Sequence, residues 1–314
     1  MSEIRKVIQI REVTIALVIG VMMFITGLVL DWNVTSKVYD PINTSLFGII
    51  FTGIAQIPMV IGLMVSGAGL IIARRKQPIW LQVIMIIGGV LAILLGLYIA
   101  FDNAKDWGSF NNTISHKTLI TLLAAGFSVA IALAILLPMF LLSKKFDKEI
   151  LLKISLIMVA AIVLSLLFAV VLKYFWGRER PESVFTHENP ADFYNPWWNI
   201  HPFRTLIAIF RDDVSSSSYK SFPSGHAIYS ASAMLVFPLL TMLNSKTRGL
   251  RALQIPLFYL GLIWTVVSCA SRIYAGAHYM SDVAGGMLVF ICVSIITMVI
   301  ANLTMKDHML LEKQ

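Results

Sequence analysis

Ionisable side chains are scarce in this sequence. Asp, Glu, Lys and Arg together make up 13% of the 314 residues, while 58% are hydrophobic. A soluble domain carries about a quarter charged residues, so an ordinary water-soluble globule is excluded. Cysteine is rarer still: Cys269 and Cys292 are the two, and both fall inside apolar runs. They support neither a disulfide framework nor a metal site. No compact ligand spacing such as His-Glu-x-x-His occurs, which removes the simplest metal-centred chemistries. No internal repeat of the transporter kind is visible. The first apolar run lacks a clear small-residue cleavage site before Asp31-Trp32, so it reads as a retained helix and not a signal peptide.

What the sequence has instead is long apolar runs. About eight are of spanning length, near 13–30, 46–73, 79–101, 119–142, 150–172, 224–243, 253–270 and 283–304. A run of about 18 apolar residues is enough to cross a bilayer. Lipid offers no partner for free backbone groups, so such runs must be helical. The expected fold is therefore all-α: a polytopic membrane helix bundle forming one domain.

The net charge of +8 could point to nucleic acid, but its distribution argues against that partner. Arg5, Lys6 and Arg11 precede the first run. Arg74, Arg75 and Lys76 follow the second; Lys144, Lys145 and Lys148 follow the fourth; Lys246, Arg248 and Arg251 follow the sixth. Short basic connections alternating with less basic ones are the mark of cytoplasmic loops. Both termini are then cytoplasmic, and the connections 31–45, 102–118, 173–223 and 271–282 face outward.

The first four runs carry almost no ionisable residue. Gly62, Ser66, Gly88, Gly89 and Gly96 suit close helix packing, and Pro58 and Pro138 are expected to kink their helices. The longest stretch outside the runs is 174–222. It holds Trp197-Trp198, which fit an interfacial belt, and Ser215-Ser216-Ser217-Ser218, which reads as a flexible tip. Loops of this length are functional or disordered, so a lid and a mobile tether both remain open. Its acidic and histidine residues, Glu179, Glu182, His187, Glu188, Asp192, His201, Asp212 and Asp213, read mostly as solvated charge. Asn33, Asn43 and Asn111-Asn112 open glycosylation-like tripeptides in loops too short to give them weight.

Three strings on or beside the outward connections carry the chemistry. They are Lys173-x6-Arg180-Pro181, Pro223-Ser224-Gly225-His226 and Ser271-Arg272-x5-His278-x3-Asp282. If the fifth helix continues past the membrane, Lys173 and Arg180 share a face two turns apart and could grip one anion; Pro181 would then end the turn. Taken alone, the string fits two snorkelling cations at a helix end better. The second string opens a helix, whose N-terminus favours anions. Gly225 lets an oxyanion approach the backbone. Ser224 could donate to phosphate, though capping is its commoner role, and His226 could protonate a leaving oxygen. His278 and Asp282 stand at i and i+4. On a helix the carboxylate would fix the imidazole tautomer and free the other nitrogen to attack. A plain helix-end His–Asp pair is the alternative, but it leaves Arg272 and the other strings unexplained.

Together the three strings resemble the signature of the type 2 phosphatidic acid phosphatase (PAP2) superfamily, which also includes glucose-6-phosphatases and vanadium haloperoxidases. The resemblance is strong over about 173–282. It implies that His278 is the nucleophile that becomes phosphohistidine and Asp282 its orienter. It implies that His226 is the acid for the leaving group, and that Lys173, Arg180, Arg272, Ser224 and the Gly225 amide form a phosphate clamp. It also implies no metal and no cofactor. The common bacterial core has six helices, with the first string after the third. Here the first string follows the fifth, so residues 1–118 are expected to include two extra spans ahead of a core at 119–304.

The expected function is a membrane lipid phosphatase of the bacterial branch, with an extracytoplasmic site. Its substrate is a lipid phosphate or diphosphate. Undecaprenyl diphosphate is favoured, because an outward site meets lipids exposed at the outer leaflet. Phosphatidylglycerol phosphate and phosphatidate come next. A lipid phosphotransferase would use the same residues. A transporter would place ionisable groups at mid-membrane depth, whereas here they gather at the outer ends. A vanadate-dependent oxidase would be expected to be soluble.

Overall fold

The computed structural model describes residues 10–39, 46–110, 117–209, 216–244 and 252–311. Arg5, Lys6, Asn43, Asn111, Asn112, Asp212, Asp213, Ser215, Lys246, Arg248 and Arg251 lie outside the described residues. Within them the chain is all helix, with no strand. Eight helical spans are long and apolar enough to cross a membrane. The protein is a multi-pass helical bundle.

The spans run as follows. Helix α1 (Ile10–Val38) is the first. Helices α2 (Leu46–Ile54) and α3 (Ile57–Ala73) share the second. Helices α4 (Ile79–Phe110), α5 (Lys117–Leu141) and α6 (Lys148–Trp176) are the third to fifth. Short turns α7 (Pro181–Val184), α8 (Pro190–Phe193) and α9 (Arg204–Ile209) follow. Helices α10 (Gly225–Ala231) and α11 (Ala233–Leu240) form the sixth span, and α12 (Gln254–Tyr274) and α13 (Met280–Leu311) complete the bundle.

The breaks have local causes. Pro58 has no N–H to offer the carbonyl four residues back, so α2 stops at Ile54 and α3 restarts with the proline in its first turn. The second span is thus interrupted outright. Pro138, by contrast, sits within α5 close to its end, and the helix runs on to Leu141. Asp147 caps α6, accepting from the N–H groups of Glu149 and Ile150 at 2.9 and 3.2 Å.

Helix α3 is the hub, buried along nearly its whole length. It packs against α4 and α6, and also meets α5, α10 and α11. Gly62 faces Val236 and Ile162, and Gly96 faces Leu63 and Met64. Helix α1 lies against α13 and α12. Helix α5 is peripheral; Leu122, Leu133 and Leu137 are exposed on it, as befits a face against lipid. The two N-terminal spans therefore contact the helices that carry the three strings, and α5 stands outside.

Chain direction alternates from span to span. In the order of the spans, Arg11, Arg74, Arg75, Lys144, Lys145 and Lys148 stand at the span ends opposite those beside which the three strings lie.

Candidate active site

Lys173 lies in the last turn of α6. The helix ends because Gly177 adopts φ +57°, and its N–H bonds back to the Lys173 carbonyl at 3.2 Å. A side chain there would be strained, and its Cβ would stand 2.3 Å from the His201 carbonyl oxygen. Lys173 and Arg180 are therefore not on one helical face. Arg180 is the N-cap of α7, and Pro181 begins that turn instead of ending one. What returns Arg180 to the site is backbone pairing: its N–H donates to Ser218 at 2.8 Å, and the Ser221 N–H to Arg178 at 3.1 Å. The first string is thus joined to the segment that leads into the second.

Ser224 caps α10, its hydroxyl accepting from the Ala227 N–H at 3.4 Å. Its own N–H donates to the Asp282 carbonyl at 3.0 Å, so the second string is tied to the third. The Lys173 Nζ stands 3.7 Å from where a Gly225 Cβ would be, which places that ammonium at the mouth of α10. The His226 ring packs near Tyr229, and its Nε2 is buried with no hydrogen-bond partner.

Arg272 occupies the last turn of α12 and donates through Nη1 to the Thr52 hydroxyl on α2. His278 precedes α13, so it does not share a helix face with Asp282. The pair still meets, with Nδ1 4.0 Å from Oδ2. That is ion-pair distance, about 1 Å beyond a hydrogen bond. Nδ1 has no hydrogen-bond partner, because both Asp282 oxygens are engaged elsewhere. Oδ2 accepts from Ser221 Oγ at 2.6 Å and from the Tyr279 N–H at 2.9 Å. The latter is one half of a capping box at the start of α13. Oδ1 accepts from Arg178 Nη1 at 2.7 Å.

Burial holds the His278 imidazole well below its ordinary value of 6.5, and the charges of Arg180, Lys173 and Arg272, with His226, push the same way. Four groups from the three strings are therefore close enough to act on one ring. Neutral at pH 7, that ring has a nitrogen lone pair to use.

Sequence reasoning missed Arg178. It is fully buried. It donates through Nε to the Asn195 carbonyl at 3.0 Å, through Nη1 to Ser281 Oγ at 2.7 Å and to Asp282, and through Nη2 to Asp31 at 2.9 Å. The Tyr279 ring covers it, 4.2 Å from centroid to Cζ. Asp31, Ser221, Ser281 and Thr52 were missed as well. One signal was present: Asp31 is a carboxylate at the end of a long apolar run, and a buried carboxylate needs a partner.

The described part of the loop packs against the bundle. Trp176 donates to the Trp197 carbonyl at 2.7 Å, and Trp197 meets Phe24 edge-on at 5.0 Å. Trp32 stacks on Phe185 at 5.5 Å. Trp198 alone of the pair is exposed. Ser216–Tyr219 form a 3-10 turn. Glu179 is not solvated: it is buried, and pairs with Arg204 at 3.2 Å and His187 at 3.6 Å. Among the described residues, no group of three or more His, Cys, Asp or Glu is placed to hold a metal.

The family model described as PAP2 superfamily matches residues 154–306. The match runs from within α6 into α13 and takes in all three strings. Over that stretch the chain is similar to the PAP2 superfamily. No curated protein and no solved structure matches the chain.

Proposed function

We propose that the protein is a metal-independent membrane lipid phosphatase working through a phosphohistidine on His278. The observation that carries this reading is the convergence of Lys173, Arg180, Arg272, His226 and His278 at one end of the bundle, inside a domain matched to the PAP2 superfamily.

In this reading Lys173, Arg180 and Arg272, with Ser224 and the Gly225 N–H, hold the phosphate oxygens. Three cations offset the charge that spreads over the equatorial oxygens at the transition state. His278 Nδ1 faces Asp282, so Nε2 is the attacking atom. The N–P bond forms as the P–O bond to the lipid breaks, and His226 gives that oxygen its proton. Water then attacks the phosphohistidine, His226 takes the water proton, and inorganic phosphate leaves with His278 restored.

The basic ends of the spans lie opposite the site, which supports an extracytoplasmic site and cytoplasmic termini. That orientation favours undecaprenyl diphosphate, whose distal phosphate would sit in the clamp while its tail stayed in lipid. Phosphatidylglycerol phosphate and phosphatidate are ranked second.

The test is phosphate release in EDTA by purified protein, across those three lipids and soluble phosphate esters in matched detergent. The highest kcat/KM is expected for undecaprenyl diphosphate. A tenfold preference for either glycerolipid, about 1.4 kcal/mol at the transition state, would reject the polyprenyl reading alone. No release from any substrate would reject the phosphatase.

A further inference from the structure

The N-terminal span reaches the site through one side chain. Asp31, near the end of α1, is 1% exposed and lies outside the matched region 154–306. Its Oδ1 accepts the Ser281 N–H at 2.9 Å, and its Oδ2 accepts the Ser281 hydroxyl and Arg178 Nη2, the latter at 2.9 Å. Arg178 and the Ser281 hydroxyl are also bonded to each other at 2.7 Å. Asp31 thus closes a ring of contacts around the first turn of α13. The approach is close by design of the sequence: a Cβ on Gly27, one turn earlier, would stand 2.5 Å from the Ser281 nitrogen. Only glycine lets α1 come this near.

Building on the reading of His278 as nucleophile, we infer that Asp31 is a positioning residue: through Arg178 and Ser281 it fixes Asp282 against His278. The chain of contacts is short. Arg178 forks between the two carboxylates, so its plane is set by both. Ser281 adjoins Asp282, so pinning its N–H and hydroxyl pins the turn that carries Asp282. The His278 to Asp282 distance is 4.0 Å, and a hydrogen bond needs about 3 Å. A rotation of this turn of about 1 Å decides whether the orienter reaches the ring. An anion at the first N–H groups of a helix is also favoured by the helix dipole, and here the anion comes from a different helix. Asp31 touches no reacting atom in this scheme. It acts through its two neighbours.

The experiment is steady-state and single-turnover kinetics on p-nitrophenyl phosphate with the full-length wild type, Asp31→Asn, Arg178→Lys and the double variant. Asp31→Asn keeps the shape of the side chain, and folding is checked by thermal unfolding in detergent. The expected result is a loss in kcat of about 10- to 100-fold, since misplacement of about 1 Å costs on that order. His278 phosphorylation slows equally, and inhibition by inorganic phosphate changes by less than about threefold, because the clamp is untouched. The double variant should be little worse than Arg178→Lys, since the two act as one unit. As a control, Glu12→Gln removes a buried carboxylate from the other end of α1 and should keep the wild-type kcat. An active wild type with undiminished kcat in Asp31→Asn would overturn the inference and leave the phosphatase reading standing. So would equal weakening of phosphate inhibition, losses that simply multiply in the double variant, or a matching loss in Glu12→Gln. An inactive wild type would instead overturn the phosphatase reading.

Discussion

Replacing Arg178 by methionine keeps a long apolar stem and deletes the guanidinium. In the folded protein Asp31 and Asp282 would then face each other across a dry space, each 1% exposed or less. Asp282 would keep Ser221 and the Tyr279 N–H, and Asp31 would keep Ser281. Neither would keep a cation. Removing one partner of a buried ion pair costs about 3–5 kcal/mol, and here one deletion takes the guanidinium from two carboxylates and the Nε donor from the Asn195 carbonyl. Protonation of one aspartate would relieve part of this, so the estimate stays at about 3–5 kcal/mol. Total stabilities are about 5–15 kcal/mol, so the loss is a large fraction. Arg178→Lys retains the charge but not the fork, and should cost less, about 1–3 kcal/mol for acceptors left unmatched. The assay is equilibrium unfolding in mixed micelles, following tryptophan fluorescence. Adding Asp31→Asn to Arg178→Met should restore stability, because one of the stranded charges is gone. A loss below about 1 kcal/mol for Arg178→Met, or no recovery in the double variant, would refute the claim that this cation holds the two helices together.

Three further outcomes are expected. His278→Ala should abolish phosphate release and phosphoenzyme, while His226→Ala should slow poor leaving groups far more than p-nitrophenol; near-normal turnover without His278 would end the assignment. The acid limb of kcat/KM, which reports the free enzyme, should fall below pH 6.5. Burial and the neighbouring cations depress the His278 value, so the attacking neutral form persists as pH falls until that lowered value is crossed; a limb at or above 6.5 would contradict this. In intact cells, after replacement of both native cysteines, an impermeant thiol reagent should label Ser217→Cys and spare Lys144→Cys. The reverse pattern would invert the topology.

The packing also separates what one chain segment can encode from what it cannot. The eight spans were readable because lipid forces each long apolar run to satisfy its backbone within itself, and that is a local condition. The three strings were readable because their residue types are tied to phosphate chemistry, whichever way their helices meet. Pro58 and Gly177 show the limit of local reading. The proline marks a disturbance, but only the packed structure shows a break before α3 where Pro138 leaves α5 whole. The glycine stops α6 before Arg180, so a spacing that suggested one helix face became two elements joined by backbone pairing.

The sequence by itself determined a helical membrane protein and the side chains that its strings bring to one end. Tertiary structure alone decided which of those charges are neutralised and by what. Arg178 and Asp31 lie 147 residues apart, and Arg272 and Thr52 lie 220 apart. No periodicity links such positions. They meet because α1 and α2 pack against the helices that end at the site, and because a charge taken out of water must find its partner there.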